Sequence, residues 1–248
     1  MDNVRLTADY HTHTRRSDGH GTVEDNIKAA VNAGLDTIAI TDHGPHHNFR
    51  SRCTYDQFLL TQQEIDNFKN EYPINILFGI ETNLISLRGD IDISPEQEKA
   101  FDIIVLGTHK TPRGAKFKDF FTWKLRNLFP TTKRRREKVT KAYLNAMRAH
   151  NIKILAHLNR VGKVNIKPIA ELAAKKNIWI ELNGKGVDFT QSDIDTILQT
   201  DANFVINTDA HYPERVGKPE LVWKFLEEHP IPLDRIVNLK VVKNEVAN

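Results

Sequence analysis

Residues 9–20 read DYHTHTRRSDGH, placing His11, His13, Asp18 and His20 within twelve positions, directly after a strand-like start. In an extended chain, side chains at i and i+2 point to the same face, so His11 and His13 leave the strand end as a same-face pair. The same arrangement recurs along the chain. ITDHG places His43 just beyond a second short apolar run, and GIE places Glu81 beyond a third. GTH places His109 beyond a fourth run, and AH places His157 beyond a fifth. NTDAH places Asp209 and His211, again at i and i+2, beyond the last. Of the eleven histidines, six sit at such ends. A lone histidine after a strand is usually a capped or solvated residue, but six together with carboxylates are not a coincidence of loops.

The runs themselves set the fold class. Strands are predicted around Leu6–Tyr10, Thr37–Ile40, Ile74–Phe78, Ile103–Leu106, Lys153–Leu155, Trp179–Glu181 and Phe204–Ile206. Most are too apolar for a strand with one face in water, which is the signature of a parallel sheet covered by helices. Helices are predicted over Thr22–Asn32, Tyr55–Asn70, Thr131–His150, Ile166–Lys176, Gln191–Leu198 and Pro213–Glu228. Thr22 with Asp25 reads close to a capping box, and Thr190 caps the fifth helix. After GIE, a small hairpin is expected with Gly89-Asp90 at its turn. Seven strands, each followed by helical material, predict an α/β fold: a distorted (β/α)7 TIM-like barrel with its chemistry at the C-terminal rim of the strands. No GxGxxG follows the first strand, so a dinucleotide-binding sheet loses support.

At 248 residues the chain fits one such barrel, a single domain over 1–248. Its one compositional anomaly is a basic block. Between Lys110 and Arg148 stand thirteen Lys/Arg and two acidic residues, against a whole-chain net charge of +3, so the rest of the chain is net acidic. The segment of about 110–135 reads as a basic insertion on the rim, and the block is either a solvated insertion followed by a basic helix or an electropositive rim that draws in a phosphorylated substrate. No apolar run approaches the length of a membrane span, and the start MDNVRLTADY has no apolar signal region. With Cys53 as the one cysteine, a disulfide framework is excluded and a reducing, cytoplasmic setting is expected. Nothing in the sequence bears on oligomeric state.

Imidazoles with carboxylates and no thiolate suit Zn, Mn or Fe ions. The donors exceed what one ion takes, so two or three divalent ions are expected, with Glu81 or Asp209 as the bridging carboxylate. Such a site lowers the pKa of a bound water toward neutrality and clamps both the attacking and leaving oxygens of a phosphoryl transfer. The chemistry implied is hydrolysis by a metal-bound hydroxide.

As an ordered set, DYHTHTRRSDG, ITDHG, GIE, GTH, AH and NTDAH resemble the PHP (polymerase and histidinol phosphatase) family, and within it the stand-alone YcdX-type phosphoesterases. The resemblance spans Asp9 to His211. It implies a trinuclear site with His11, His13, Asp18, His43, Glu81, His109, His157, Asp209 and His211 as ligands. Relatives usually carry His-Pro at the fifth motif, where this chain has His-Leu-Asn, so the wall beside His157 is expected to differ. Amidohydrolases also open on His-x-His but lack the TDHG ligand and the Asp-x-His ending.

The expected activity is therefore that of a metal-dependent phosphoesterase, foremost a phosphomonoesterase acting on a small phosphorylated substrate. Asp209, Glu81 and His20 are the candidates for proton handling. Arg160, Arg16 and Lys185 are the candidates for gripping phosphate, with Arg160 favoured because it follows His157 by three residues. The alternative is a nuclease, in which the basic block and its aromatics (Phe117, Phe120, Phe121, Trp123, Phe129) would track nucleic acid. A non-catalytic metal-binding module is the third reading, disfavoured by the intact ligand set.

Overall fold

The computed structural model describes residues 3–47, 52–109 and 132–242. Most of the basic segment, with its five aromatics, lies outside the described residues.

Among the described residues, seven parallel strands form one sheet in sequence order: β2 (Ala8–Thr12), β3 (Thr37–Ile40), β4 (Asn75–Asn83), β5 (Ile103–Gly107), β6 (Ile154–Leu155), β7 (Trp179–Asn183) and β8 (Phe204–Asn207). A separate antiparallel pair, β1 (Val4–Leu6) with β9 (Leu239–Val241), joins the two ends of the chain. The first expected strand is thus two strands, and β4 runs on through Glu81, which lies inside the strand rather than beyond it.

The sheet curls until β2 faces β8, and the seam is closed by side chains as well as backbone. Thr12 and Ala210 form a single parallel bridge, with His13 N donating to Ala210 O at 2.8 Å. Lower down, Tyr10 N donates to the side-chain carbonyl of Asn207 at 2.9 Å. Buried Asn238 stitches the base, its amide donating to Ala8 O (2.8 Å) and Ile206 O (2.6 Å) and its carbonyl accepting from Ile206 N (3.0 Å). Each asparagine supplies what a missing ladder partner would have supplied.

Strand alternation sorts the side chains into two apolar layers. Ala39, Ile103, Val105, Ile154 and Val205 fill the barrel interior, with Tyr10, Leu77 and Trp179 packed against them. Their neighbours Ile38, Ile40, Ile104, Leu106, Phe204 and Ile206 face outward into the larger core beneath the helices. Following the inward parity upward gives Glu81 and Asn83 on β4, Glu181 and Asn183 on β7, and Asn207 on β8. The interior is therefore apolar below and carboxylate- and amide-lined above.

The helices begin where short polar caps place them. Val23–Asn32, Tyr55–Phe68 and Gln191–Leu198 open on Thr22, Thr54 and Thr190, each in a reciprocal capping box. Lys133–Ala149 is capped by Thr132, and Ile166–Lys176 ends on Asn177 in the left-handed region. The helix expected over Pro213–Glu228 is instead a short 3-10 turn at Pro213–Arg215 followed by a helix over Glu220–Glu228. Gly217, at φ 72°, and Pro219 interrupt it. The hairpin after β4 is present in miniature, with Ile85 N donating to Asp90 O at 2.9 Å and Gly89 in the left-handed region.

Cys53 lies fully buried, its N donating to His43 O at 3.0 Å. Burial, reinforced by the Asp42 carboxylate, pushes its thiol far up. Since the thiolate is the reactive form, a colorimetric thiol reagent should label the native protein roughly 100-fold more slowly than the denatured chain. Equal rates in the two states would show that this corner opens readily.

Candidate metal centre

The upper rim brings together the side chains that the sequence scatters over two hundred positions. Register between β2 and β3 shifts between Asp9 and Thr12. Such irregularities re-aim side chains, and this one falls at the start of the His-x-His pair. His11 and His13 are both fully buried, with ring centroids 5.1 Å apart.

Glu81 sits at the middle. Its Oε1 lies 2.8 Å from His157 Nε2 and 3.3 Å from His109 Nε2. Its Oε2 lies 2.7 Å from His43 Nδ1, 3.3 Å from His11 Nε2 and 3.7 Å from His13 Nε2. Asp18 Oδ1 stands 3.1 Å from His211 Nε2 and 3.3 Å from His43 Nε2. Asp209 Oδ1 stands 3.3 Å from His13 Nε2. Burial alone would push the Glu81 carboxyl up, but His109, His43 and His11 hold it well below the ordinary carboxylate range. Burial opposes charge on His43, while Glu81 and Asp18 raise it to about 10.

Many of these approaches lack hydrogen-bond geometry. His11 Nε2, both ring nitrogens of His13, Asp18 Oδ1, His43 Nδ1, Glu81 Oε2 and His157 Nδ1 are buried without a hydrogen-bond partner. Buried polar atoms are normally satisfied, so a concentration of orphaned nitrogen and oxygen donors, with no thiolate among them, fits divalent cations. Four overlapping groups of donors lie within 4.8 Å of one another: His13/Asp18/His43/His211, His11/His13/Glu81, Glu81/His109/His157 and His43/His47/His109. His13, His43, Glu81 and His109 are each common to two of them.

A supporting layer fixes the rings. Glu181 accepts from His11 Nδ1 (2.8 Å), His157 N (2.8 Å), Asn183 Nδ2 (2.7 Å) and Asn207 Nδ2 (2.9 Å). With Nδ1 committed to Glu181, His11 presents Nε2 to the cluster. Asn83 does the same for His109, its carbonyl accepting from Nδ1 at 2.7 Å while its amide donates to Asp92 at 2.6 Å. Asp42 accepts from Thr14 N, Thr14 Oγ1 (both 2.7 Å) and Ser17 Oγ (2.5 Å), folding the turn that presents Asp18. His157 and Asp209 hold left-handed backbone at φ 32° and 54°, a costly conformation for non-glycine residues that recurs where function requires it. Asn159, from the departing His-Leu-Asn motif, also has positive φ and accepts from Val164 N at 3.0 Å.

All nine expected ligands therefore converge, although Asp209 stands outside the four closest groups, with Lys185 Nζ at 3.0 Å. His47, which is not among the expected ligands, joins the cluster: it is buried and stacks on His43 at 3.7 Å. His20 does not join. It stacks on Tyr212 with ring centroids 4.0 Å apart, at the exposed mouth. Arg16 is also turned away, forming a paired hydrogen bond to Glu64 on the helix Tyr55–Phe68. Arg160 and Lys185 do line the cavity of about 450 Å³ above the cluster. Arg160 is braced there by Asp188 (2.9 Å), Asn183 (3.1 Å) and Gly186 O. Glu181, Asn183, Asn207 and Asn83 are not among the expected site residues, although inward parity from Trp179, Val205 and Leu77 points to each of them.

Two substitutions test this layering. Glu181→Gln should weaken divalent-metal binding by about 10- to 100-fold, measured by competition with a chromogenic chelator; unchanged affinity would detach Glu181 from the site. A Cβ at Gly107 would overlap Glu81 Oε1, so Gly107→Ala should lower the number of ions bound while leaving the far-ultraviolet circular dichroism of the barrel intact. Full metal content in that variant would place Glu81 elsewhere.

Comparison with known proteins agrees with this geometry. The PHP domain family model matches residues 9–188. A probable phosphatase of Aliivibrio fischeri is 25% identical over 246 residues, covering 94% of this chain and 90% of its own length. A probable phosphatase of Clostridium botulinum is 26% identical over 259 residues, covering 98% and 96%. Among solved structures, the histidinol phosphate phosphatase of Lactococcus lactis, in complex with zinc, L-histidinol and phosphate, superposes with a TM-score of 0.61 at 16% identity, covering 92% of this chain and 95% of that one. With the family model spanning most of the chain and the donors gathered at the barrel rim, the protein belongs to the PHP domain family.

Proposed function

We propose that this protein is a metal-dependent phosphoesterase that hydrolyses the monoester of a small alcohol. The observation that carries the reading is the buried, partnerless donor set around Glu81, lying at the floor of a cavity walled by Arg160 and Lys185. A volume of about 450 Å³ suits a small ligand. His11, His13, Asp18, His43, Glu81, His109, His157, Asp209 and His211 are the residues that would hold two or three divalent ions, zinc, manganese or iron. Bound there, the ions supply Lewis acidity for the phosphoryl oxygens and lower the pKa of water.

The chain's own residues orient and neutralise. Lys185 Nζ lies 3.0 Å from Asp209 Oδ1 and 2.8 Å from His211 Nδ1, so its ammonium stands at the edge of the cluster, facing the incoming anion. Arg160, held by three protein acceptors, offers its remaining guanidinium surface without having to be ordered on binding. Burial works to raise the Asp209 carboxyl, but His11, His13 and Lys185 hold it well below its ordinary range. It is thus ionised at neutral pH and able to accept a hydrogen bond from the attacking water. Glu81, wholly enclosed among imidazoles, would help hold the ions. In the balanced reaction, the water oxygen bonds to phosphorus, the phosphorus–oxygen bond to the alcohol breaks, and the alcohol departs with a proton.

Reconstitution of the metal-stripped protein with zinc or manganese should restore phosphate release from a monoester panel. His11→Ala should reduce it by at least about 100-fold, on the scale of losing an electrostatic contributor. Absence of phosphate release from mono- and diesters alike, with His11→Ala unchanged in metal content, would overturn the reading.

A further inference from the structure

A second cavity, of about 440 Å³, opens beside the first and shares Lys185, Asp209 and His211 with it. Its far wall is the chain after β8, contributing Tyr212, Arg215 and Lys218, with Leu221 on the following helix. The wall is firmly built. His20 N donates to His211 O at 2.7 Å, and the His20 ring stacks on Tyr212 at an interplanar angle of 8°. Gly217 N donates to fully buried Asp9 at 3.1 Å, and a Cβ at Gly217 would lie 2.8 Å from Ala33 Cβ, so the loop is seated against the first helix. Val216, between the two cations, is buried in the core.

The lining combines charge with apolar surface. Tyr212 and Leu221 are large side chains that are each 46% exposed. Arg215 pairs with Glu220 at 3.1 Å through one nitrogen, which leaves guanidinium donors unused. The Lys218 ammonium has no ion-pair partner among the described residues. An ester whose phosphate occupies the first cavity would extend its alcohol portion past Lys185 and His211 into this one. Its carbon skeleton would lie along Tyr212 and Leu221, and its far end would meet Lys218 and Arg215.

We propose that this second cavity is an alcohol-side subsite, and that the preferred ester carries a second anionic group, carboxylate or phosphate, held there by Lys218 and Arg215. The proposal rests on the phosphoesterase reading and narrows it, since it disfavours an alcohol bearing an amine at that end.

Matched substrate pairs test it. 3-Phosphoglycerate against glycerol 3-phosphate, and 6-phosphogluconate against glucitol 6-phosphate, differ chiefly in a terminal carboxylate at two different reaches. With metal-loaded enzyme, the anionic member of at least one pair should show about 10-fold higher kcat/KM, on the scale of one well-placed charged contact. Raising the salt concentration should shrink that preference, because the cations are exposed. Arg215→Gln/Lys218→Gln should bring the ratio within the pair to about one, and a ratio is insensitive to any general loss of folded protein. Calorimetric Kd values for the same pairs read the preference without turnover, so a chain that hydrolyses nothing still tests the subsite separately from the activity. A ratio at or below one in both pairs, or an unchanged ratio in the double variant, would overturn the proposal.

Discussion

The Glu181 carboxylate is the interaction from which the rim is built. It is fully enclosed, and it accepts hydrogen bonds from β2, β8, its own strand and the turn after β6. Burying an unpaired carboxylate is costly, whereas one with all its lone pairs engaged converts that cost into geometric constraint. Displacing any one of its four donors would leave both partners unsatisfied. His11, the His157 backbone and two asparagines are thus fixed relative to one another before any ion or substrate arrives. Burial alone would raise this carboxyl, but His11 and His157 keep it low, so it holds its charge at neutral pH.

Much of this was legible in the sequence, because metal chemistry needs rare side chains at strand ends. The spacings HTH, TDHG, GIE, GTH and TDAH marked the rim, and the short apolar runs marked the barrel. Residues whose roles depend on partners far away in the chain were not legible. Glu181 and Asn83 read as ordinary strand residues until alternation is traced through a barrel whose register is known. Arg16 looked like a phosphate contact because it stands near His13 in sequence, but Glu64, on a helix that packs nearby, captures its guanidinium. His20 looked like a proton-handling group because it follows Asp18 so closely, yet its ring stacks on Tyr212. Sequence proximity to a motif reports where the backbone goes, and the direction of a side chain is then settled by whichever partner satisfies it.

The boundaries that moved have equally local causes. β4 continues to Asn83 because β5 pairs with it through Gly107, where the absence of a side chain leaves room for Glu81. The last expected helix splits because Gly217 adopts a positive φ to meet Asp9, and that break turns Tyr212, Arg215 and Lys218 toward the rim instead of around a helix.

The seam between β2 and β8 has a consequence for how the protein comes into being. His11 and His13 precede Asp209 and His211 by about two hundred positions, and the Asn207 and Asn238 side chains that stitch the seam come equally late. Such long-range closure is slow, because loop entropy is lost before the contacts form. On a ribosome, the first motif must therefore wait without its partners until the chain beyond β8 has emerged. Gathering of the rim donors is in this way tied to the emergence of β8, and a chain truncated before β8 cannot bring them together.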